Sequence, residues 1–361
     1  SPRYGEDLNL TIDLRLQFIA YRELKSAVNS HQAASGSLIM LDAKTGEILA
    51  MVNQPSFNPN SGDKQQNTMR NRAVVDAYEP GSTIKPFTAL AALESGRYTP
   101  ETMIDTAPGY FKVGNKLIED PINRKSLSLG QSIQKSSQVA FAKLALDLEQ
   151  DAVFDVLARA GFGNYVGVEL PGEAYGKLSS AQLKYPVVRA TLAYGYGLSV
   201  SPIQLAQAYL TLASHGMRLP ISIVKSDVPN TGERVFEAQA TKDVLTMMEL
   251  VTAREGTAAN AAVSGYRVAG KTGTARMIGA NGYDDERHIA WFAGVAPVSD
   301  PKVVMIIVIN EAKAGRSGGG KVAAPVFARV AERSLRLLGV SPDKVDVDLA
   351  RAPTEAAAPI G

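Results

Sequence analysis

The chain has 361 residues, 45% hydrophobic and 20% charged, and its 38 basic and 36 acidic side chains leave a formal charge of +2. This apolar content and near-neutral charge exclude a disordered chain and disfavour nucleic-acid binding through bulk positive charge. The lack of cysteine excludes thiolate catalysis and cysteine-based zinc sites, and three scattered histidines disfavour a metal centre, so we expect neither metal nor cofactor.

The N-terminal part predicts one helix followed by a β-hairpin. Asp13 suits a helix N-cap, and apolar residues recur after it at helical spacing. Two apolar runs, Gly36–Asp42 and Glu47–Val52, flank a short turn that contains glycine and predict two paired strands. The stretch from Pro55 to Arg72 is polar and rich in Asn, Pro and Gly, which indicates a loop.

The central stretch, about residues 82–255, predicts mostly helices separated by loops rich in glycine and proline. Its clearest helical segments are Thr83–Glu94, Leu129–Glu149, Asp151–Ala160 and Pro202–Ser214. Further strands are predicted at Arg267–Thr274, His288–Val295 and Lys302–Asn310, with a loop over Arg276–Arg287 and a last helix over about Lys321–Leu338.

This order predicts an α+β fold in two lobes. Terminal helices would cover a five-stranded antiparallel sheet built from about residues 8–75 and 262–340. Residues from about 76 to 261 would form a second, all-helical lobe, and the Ala/Pro-rich residues 346–361 a flexible tail. The cleft between the lobes is the expected site.

Two short motifs match known patterns in the wrong context. Gly265–Thr272 fits the phosphate-binding pattern G-x-x-x-x-G-K-[ST], but no strand-rich run precedes it and no helix is expected after it. Ser317 sits in a G-x-S-x-G sequence, yet it lies several residues past a strand and no histidine follows it. We therefore expect neither a nucleoside triphosphatase nor a nucleophile elbow.

A third set of motifs is more informative as a group: Ser82-Thr-Ile-Lys85, Ser136-Ser-Gln138 and Lys271-Thr-Gly273. Singly they are weak, since S-x-x-K occurs six times and K-T-G twice. Context favours Ser82, which follows Glu-Pro-Gly and opens a predicted helix, so that Ser82 and Lys85 share one helix face. The helix start also directs backbone N–H groups toward this serine.

These motifs, in this order, resemble those of class B penicillin-binding proteins, closest to the septal, division-specific type (penicillin-binding protein 3 type). The resemblance covers about Leu8 to Leu338, and its motifs appear in family order at Glu79–Phe87, Lys135–Gln138, Tyr194–Gly197 and Lys271–Ala275. Three flanking phrases agree, namely Leu10–Asp13, Gly167–Gly172 and His288–Gly294. It implies a fold like that of penicillin-binding proteins and serine β-lactamases, with residues 1–345 as the transpeptidase domain.

The family reaction is D,D-transpeptidation of peptidoglycan, a penicillin-sensitive step of cell-wall synthesis. The resemblance implies that Ser82 is the acylated nucleophile, Lys85 its base and Ser136 a proton relay. Lys271, with the hydroxyls of Thr272 and Thr274, would hold the substrate carboxylate, and Gly273 would let the substrate backbone approach. Backbone N–H groups of Ser82 and Thr274 would form the oxyanion hole.

One position departs from the family pattern, because Gln138 stands where the second motif usually ends in Asn. Gln keeps the amide but is longer by one methylene, so its hydrogen bonds to substrate must shift in register. Alternative readings are a β-lactam sensor or non-catalytic scaffold in a cell-wall complex, a divergent low-activity paralogue, or a serine β-lactamase. A β-lactamase needs a base for deacylation, and neither Glu169 nor Glu173 lies in a recognisable motif for it.

The resemblance also implies a location and partners. Family members carry an N-terminal membrane helix, whereas this sequence holds no apolar run of 18 residues, so we expect a piece of a single-pass inner-membrane protein whose catalytic domain is periplasmic. Expected partners are peptidoglycan stem peptides, β-lactam antibiotics and cell-division membrane proteins.

Overall fold

The computed structural model describes residues 5, 7–60, 68–279, 282–313 and 318–344. Ser317 and the predicted tail over 346–361 lie outside these residues. Numbered in chain order, the strands are β1 Ser35–Asp42, β2 Ile48–Gln54, β3 Met103–Asp105, β4 Tyr110–Val113, β5 Lys116–Glu119, β6 Ser126–Ser128, β7 Met217–Arg218, β8 Glu233–Arg234, β9 Ala269–Gly279, β10 Gly282–Ala296 and β11 Val303–Asn310.

The helices are α1 Leu14–Ser30, α2 Arg72–Val75, α3 Lys85–Glu94, α4 Leu129–Lys135, α5 Gln138–Asp147, α6 Ala152–Arg159, α7 Pro186–Leu192, α8 Pro202–Ala213, α9 Ala238–Thr252, α10 Gly319–Val322 and α11 Ala324–Leu337. Short 3₁₀ helices span Gly81–Ile84 and Ala259–Ala261. None of the helices in the described part of the chain combines the length and apolar character needed to cross a bilayer.

The predicted antiparallel sheet is confirmed, with five strands in the order β2-β1-β11-β10-β9 among the described residues. Every residue of β11 is buried, and its residues before Asn310 are all apolar, because the sheet is covered on both faces. Helices α1 and α11 pack on each other and on the sheet, while α8 contacts β1 and β11. Strand β9 lies at the edge of the sheet, where its outer backbone groups face the helical lobe.

The first predicted helix and the β-hairpin are confirmed, whereas residues 61–67 of the loop predicted from Pro55 to Arg72 lie outside the described residues. The Asp13 side chain accepts hydrogen bonds from the backbone N–H groups of Arg15 and Leu16, as expected of an N-cap. Strands β1 and β2 pair as the predicted hairpin, and Gly46 in the turn between them has φ +76°. A side chain there would lie 2.2 Å from the Pro220 carbonyl oxygen, so this turn needs glycine.

The second lobe is mainly helical, as expected, but it is not helical throughout. Strand β3 pairs with β6, β4 with β5, and β7 with β8, forming three two-stranded sheets in the described part of this lobe. These strands have two to four residues, too short to give a periodic apolar pattern that the sequence could reveal. Helix α8 is the centre of the lobe, because all its residues are buried.

Two predicted segments differ in the structure. The helix expected over Leu129–Glu149 is broken at Ser136, which separates α4 from α5. The loop expected over Arg276–Arg287 instead extends β9 and β10 into a hairpin, and their pairing shifts in register between Asp284 and His288. Both deviations adjoin the site, and both depend on tertiary contacts that sequence periodicity does not record.

Candidate active site

Ser82 lies in the 3₁₀ helix directly before α3, so Ser82 and Lys85 are related as i and i+3. In a 3₁₀ helix such residues eclipse each other, which brings the two side chains to one face more closely than an α-helix would. Neighbouring groups fix this segment: the Gly81 N–H donates to the Gly195 carbonyl (3.1 Å), and the Tyr209 hydroxyl of α8 donates to the Thr83 carbonyl (2.8 Å).

Ser136 joins the two lysines of the predicted set. The Lys85 ammonium nitrogen lies 3.1 Å from Ser136 Oγ and 2.5 Å from the Ser136 carbonyl oxygen. The Lys271 Nζ lies 2.9 Å from the same Oγ. Ser136 reaches this position in a left-handed conformation, φ +56° and ψ +40°, a backbone state that non-glycine residues adopt at some energetic cost.

Burial controls the charge of both lysines, whose side chains are 0% exposed. Loss of solvation lowers the pKa of Lys85 to about 7, and the negative charge of Asp120 opposes that change. The pKa of Lys271 also falls, first through burial and then through repulsion from Lys85. A neutral Lys85 near neutral pH has the lone pair that a general base needs.

Asp120 is a residue of the site that the sequence analysis missed. Its carboxylate accepts hydrogen bonds from the Ser137 hydroxyl and from the backbone N–H groups of Gln138 (2.6 Å) and Val139 (3.3 Å). It thus binds the start of α5 directly after Ser136, while its charge acts on Lys85. Asp120 lies in a polar loop outside every motif, so no pattern in the sequence marked it.

Strand β9 packs closely against the segment that carries Ser82. A Cβ on Gly273 would lie 2.7 Å from the Pro80 carbonyl oxygen and 2.9 Å from Thr83 Cγ2, so this glycine lets β9 pack against the Ser82 segment. The Thr274 backbone passes beside Gly81, where an added Cβ would lie 3.0 Å from the Thr274 carbonyl oxygen. Thr274 therefore adjoins the residue that precedes Ser82.

The hydroxyls of Thr272 and Thr274 do not meet Lys271 at Ser136. Both threonines line a separate hollow of about 520 Å³ on the opposite face of β9, together with Thr257, Gly318 and Lys321. The Thr272 hydroxyl lies 3.3 Å from that of Thr257, and the Thr274 hydroxyl accepts from the Gly319 N–H at 3.3 Å. Lys85, Ser136 and Lys271 therefore form one cluster, the lysine–serine centre, while Thr272 and Thr274 lie apart from it in this polar hollow.

Gln138 is the first residue of α5 and lines a groove of about 490 Å³ between the lobes. Three tyrosines, each edge-on to the next at 5.7 and 5.9 Å between ring centroids, form one wall of the groove: Tyr194, Tyr196 and Tyr283. Glu79 holds this wall, because its carboxylate accepts from the Gly197 N–H (2.9 Å) and the Tyr283 hydroxyl (3.0 Å).

The motifs rejected from the sequence have structural roles of other kinds. Lys271 and Thr272 of the phosphate-binding pattern lie inside β9, and no helix follows them. The second K-T-G, Lys44–Gly46, forms the turn between β1 and β2. Within the described residues, no group of three or more His, Asp or Glu side chains is placed to hold a metal ion.

Comparisons with known proteins agree with this geometry. Residues 36–332 match the family model of the penicillin binding protein transpeptidase domain. The chain is 42% identical over 341 residues to peptidoglycan D,D-transpeptidase FtsI of Escherichia coli K12, covering 94% of this chain and 58% of that relative. It is 41% identical over 344 residues to the probable peptidoglycan D,D-transpeptidase PenA of Neisseria flavescens, covering 95% of this chain and 86% of that relative.

A solved structure is similar as well. The apo transpeptidase domain of penicillin-binding protein 3 from Burkholderia pseudomallei matches with a TM-score of 0.85 at 38% identity, covering 96% of this chain and 100% of that one. The chain spans 58% of the length of the E. coli relative. Because the family model covers most of the chain and the similarity extends through sequence and fold, the chain belongs to the penicillin-binding protein transpeptidase domain family.

Proposed function

We propose that this chain is a penicillin-sensitive peptidoglycan D,D-transpeptidase that crosslinks stem peptides through an acyl-enzyme on Ser82 during cell-wall synthesis and division. One observation carries the proposal: the Ser136 hydroxyl lies within 3.1 Å of two fully buried lysines, Lys85 and Lys271. Burying a lysine costs free energy and lowers its pKa. Two buried lysines beside one hydroxyl are therefore typical of a catalytic centre, where such shifted pKa values are used. The names of the relatives point to the same reaction.

In the acylation step, neutral Lys85 removes the proton of the Ser82 hydroxyl as its oxygen attacks the carbonyl of the penultimate D-Ala. The C–N bond to the terminal D-Ala breaks, and Ser136 passes a proton to that leaving nitrogen from the ammonium group of Lys85. Backbone N–H groups of Ser82 and Thr274 stabilise the oxyanion, an effect of about 3 kcal/mol per donor. An amine of a second stem peptide then displaces Ser82 and forms the crosslink.

The terminal carboxylate of the donor peptide binds in the hollow beside β9. The hydroxyls of Thr272 and Thr274 line it, and Lys321 adds an exposed ammonium group at its rim. Lys271 is buried on the other side of the strand, and an incoming carboxylate favours its charged form. Gly273 keeps β9 close to the Ser82 segment, which aligns this hollow with the nucleophile.

Gln138 is proposed to bind the donor peptide from the opposite side of the cleft, because it lines the groove beside the tyrosine wall. We expect Ser82 to acylate despite the longer side chain. If a labelled penicillin left the protein unmodified and yet modified a Gln138→Asn variant, Gln138 would instead be an inhibitory replacement and the proposal of an active enzyme would be wrong.

The periplasmic location, the single N-terminal membrane anchor at the inner membrane and contacts with cell-division membrane proteins are part of the same proposal. They are supported by the family resemblance and by the names of the relatives. Residues 1–345 are proposed as one transpeptidase domain, because the sheet lobe and the helical lobe both contribute to the lysine–serine centre.

The deciding experiment is intact-mass analysis after incubation with a β-lactam. We expect one covalent equivalent on the wild-type protein and none on Ser82→Ala. Steady release of hydrolysed nitrocefin in place of one bound equivalent would favour a β-lactamase. An acylating protein that never crosslinks a lipid-linked substrate with an acceptor amine would favour a β-lactam sensor.

A further inference from the structure

Helix α8 carries two buried glutamines one turn apart, and the proposed mechanism uses neither. Gln204 is 1% exposed and donates to the backbone carbonyls of Asn164 and Tyr175, both at 2.7 Å. Gln207 is 8% exposed and has no side-chain hydrogen bond within the described part of the chain. Its carboxamide atoms are not among the fully buried polar atoms that lack a partner, so they reach the open space of the adjacent pocket and are available to a ligand.

The Gln207 carboxamide faces a pocket of about 490 Å³, a size typical of small-molecule sites. Gly161 makes room for it, since a Cβ at this glycine would lie 2.9 Å from Gln207 Oε1. Tyr209, whose hydroxyl holds the Ser82 segment, is two positions after Gln207, so the two side chains point to nearly opposite sides of α8. The pocket is therefore separate from the active-site cleft.

An exposed pair of aromatic rings borders this pocket. Tyr165 lines it and is 63% exposed, and Tyr175, 52% exposed, packs edge-on against Tyr165 at 5.1 Å between ring centroids. The two bonds from Gln204 hold the backbone on both sides of this pair. The Glu173 carboxylate holds the turn that directly follows Tyr165, because it accepts hydrogen bonds from the backbone N–H groups of residues 166–168. The aromatic surface is thus held in place before any ligand binds.

The charges at the pocket cancel. Arg218 and Glu233, the charged residues that line it, pair with each other at 2.7 Å, and Arg218 also donates to the Arg159 carbonyl. A charged ligand therefore finds no unpaired opposite charge among the described lining residues. A flat exposed aromatic ring, a free carboxamide and a neutral lining suit a sugar, whose C–H face packs on the ring while its polar groups bond to the amide.

We propose that this pocket binds an uncharged N-acetylated amino sugar of the peptidoglycan glycan strand. The acetamide group supplies both a donor and an acceptor, which match the two ends of the Gln207 carboxamide. The inference rests on the proposed function, because the glycan strand carries the stem peptides that the active site would crosslink. The site would position a strand on the helical lobe while a peptide from it, or from a neighbour, enters the cleft.

The test uses tri-N-acetylglucosamine as probe and cellotriose, which lacks the acetamide groups, as matched ligand control. Binding to the whole chain is measured by isothermal titration, and ligand contacts by saturation-transfer NMR. We expect tri-N-acetylglucosamine to bind at millimolar concentrations or better and cellotriose to bind about tenfold more weakly, as for loss of one buried hydrogen-bond pair.

Two pocket variants and one control locate the site. Tyr165→Ala removes an exposed ring and Gln207→Leu removes the carboxamide, and we expect each to weaken sugar binding about tenfold or more. Tyr110→Ala, at a tyrosine 52% exposed outside this pocket, should bind as the wild type does. All three should keep penicillin acylation of Ser82, which shows that they fold.

Absence of binding at millimolar sugar, or equal binding by wild type and Tyr165→Ala, would overturn the glycan site. Equal binding of cellotriose would overturn its assignment to an N-acetylated sugar. Failure of Ser82 to acylate in the wild type would instead reject the proposed function, and the sugar titration would remain readable.

Discussion

Lys85 and Lys271 lie fully buried within hydrogen-bond distance of one hydroxyl group, that of Ser136. A hydroxyl has two lone pairs and one proton, so it can accept from both lysines and still donate. Two ammonium groups so close together and out of water would repel each other strongly, which favours a state in which one of them is neutral. A neutral lysine beside this hydroxyl has a lone pair that can accept a proton.

The pKa of about 7 for Lys85 predicts a pH dependence of acylation. Burial lowers this pKa, so the neutral base accumulates as pH rises through about 7. We expect the second-order rate of acylation by a β-lactam to increase between pH 6 and 8 and then level off, as followed by stopped-flow fluorescence or quenched mass analysis. Lys85→Ala should remove this pH-dependent increase together with most of the acylation rate. A flat wild-type profile would contradict the assignment of Lys85 as base.

Asp120→Asn is predicted to change both the rate and its pH profile. The variant weakens three hydrogen bonds that hold the start of α5, so maximal acylation should fall on the order of tenfold. It also removes a negative charge that raises the pKa of Lys85, so the acidic limb should move to lower pH. Asp147→Asn is the matched control, because Asp147 pairs with Arg97 at an exposed end of α5. If the acylation rate fell but the pH at which it rises did not change, Asp120 would have only a structural role.

At the scale of elements, the site depends on the contact between edge strand β9 and the 3₁₀ helix that carries Ser82. The sheet lobe supplies Lys271 and Thr274, and the helical lobe supplies Ser82, Lys85 and Ser136. Glycines set how closely the neighbouring segments approach the 3₁₀ helix: Gly273 of β9 packs on Pro80 and Thr83, and Gly195, with φ +93°, leaves no space for a Cβ beside Gly81. Small shifts between β9 and the 3₁₀ helix would therefore misalign groups from different lobes.

Gly273→Ala is predicted to separate these elements. The added methyl group would meet the Pro80 carbonyl oxygen at 2.7 Å, so the backbone must move, at a cost of about 1–3 kcal/mol. We expect a lower free energy of unfolding in urea and a loss of acylation larger than the loss of stability explains. Gly279→Ala in the same strand is the control, since its added Cβ makes only an ordinary contact of 3.6 Å. Unchanged acylation by Gly273→Ala would show that β9 position does not limit the reaction.

For the whole molecule, the two terminal helices are joined beneath the sheet by one buried carboxylate. Glu23 of α1 is 7% exposed and bonds to Arg329 of α11 at 2.7 Å, with Arg333 at 3.6 Å and Arg22 at 3.0 Å. This network connects the first and last helices of the described fold. The partners of Glu23 in this network are all arginines of the two terminal helices and none is a motif residue, so we expect it to contribute to stability.

Glu23→Gln should lower the free energy of unfolding by about 2 kcal/mol, because a buried carboxylate loses its charged hydrogen bonds to half-exposed arginines. Urea denaturation measures this change, and acylation of Ser82 at temperatures well below unfolding should match the wild type. Glu332→Gln provides the contrast, since its pair with Arg336 is exposed and worth less than 1 kcal/mol. Equal stability of Glu23→Gln and wild type would contradict a linking role.

The sequence by itself determined the sheet, the capped first helix and the outer helices. It also predicted the catalytic set of Ser82, Lys85, Ser136 and Lys271, which stays a prediction. These features follow from apolar periodicity, turn residues and motif order, which are local properties of the chain. Only the tertiary structure decided four features: the left-handed backbone of Ser136, the hydrogen bonds of Asp120 to the start of α5, the placement of β9 side chains on two faces, and the pocket at Gln207. Each of these depends on residues distant in sequence meeting in space, where burial and geometry set pKa values and spacing that no local pattern encodes.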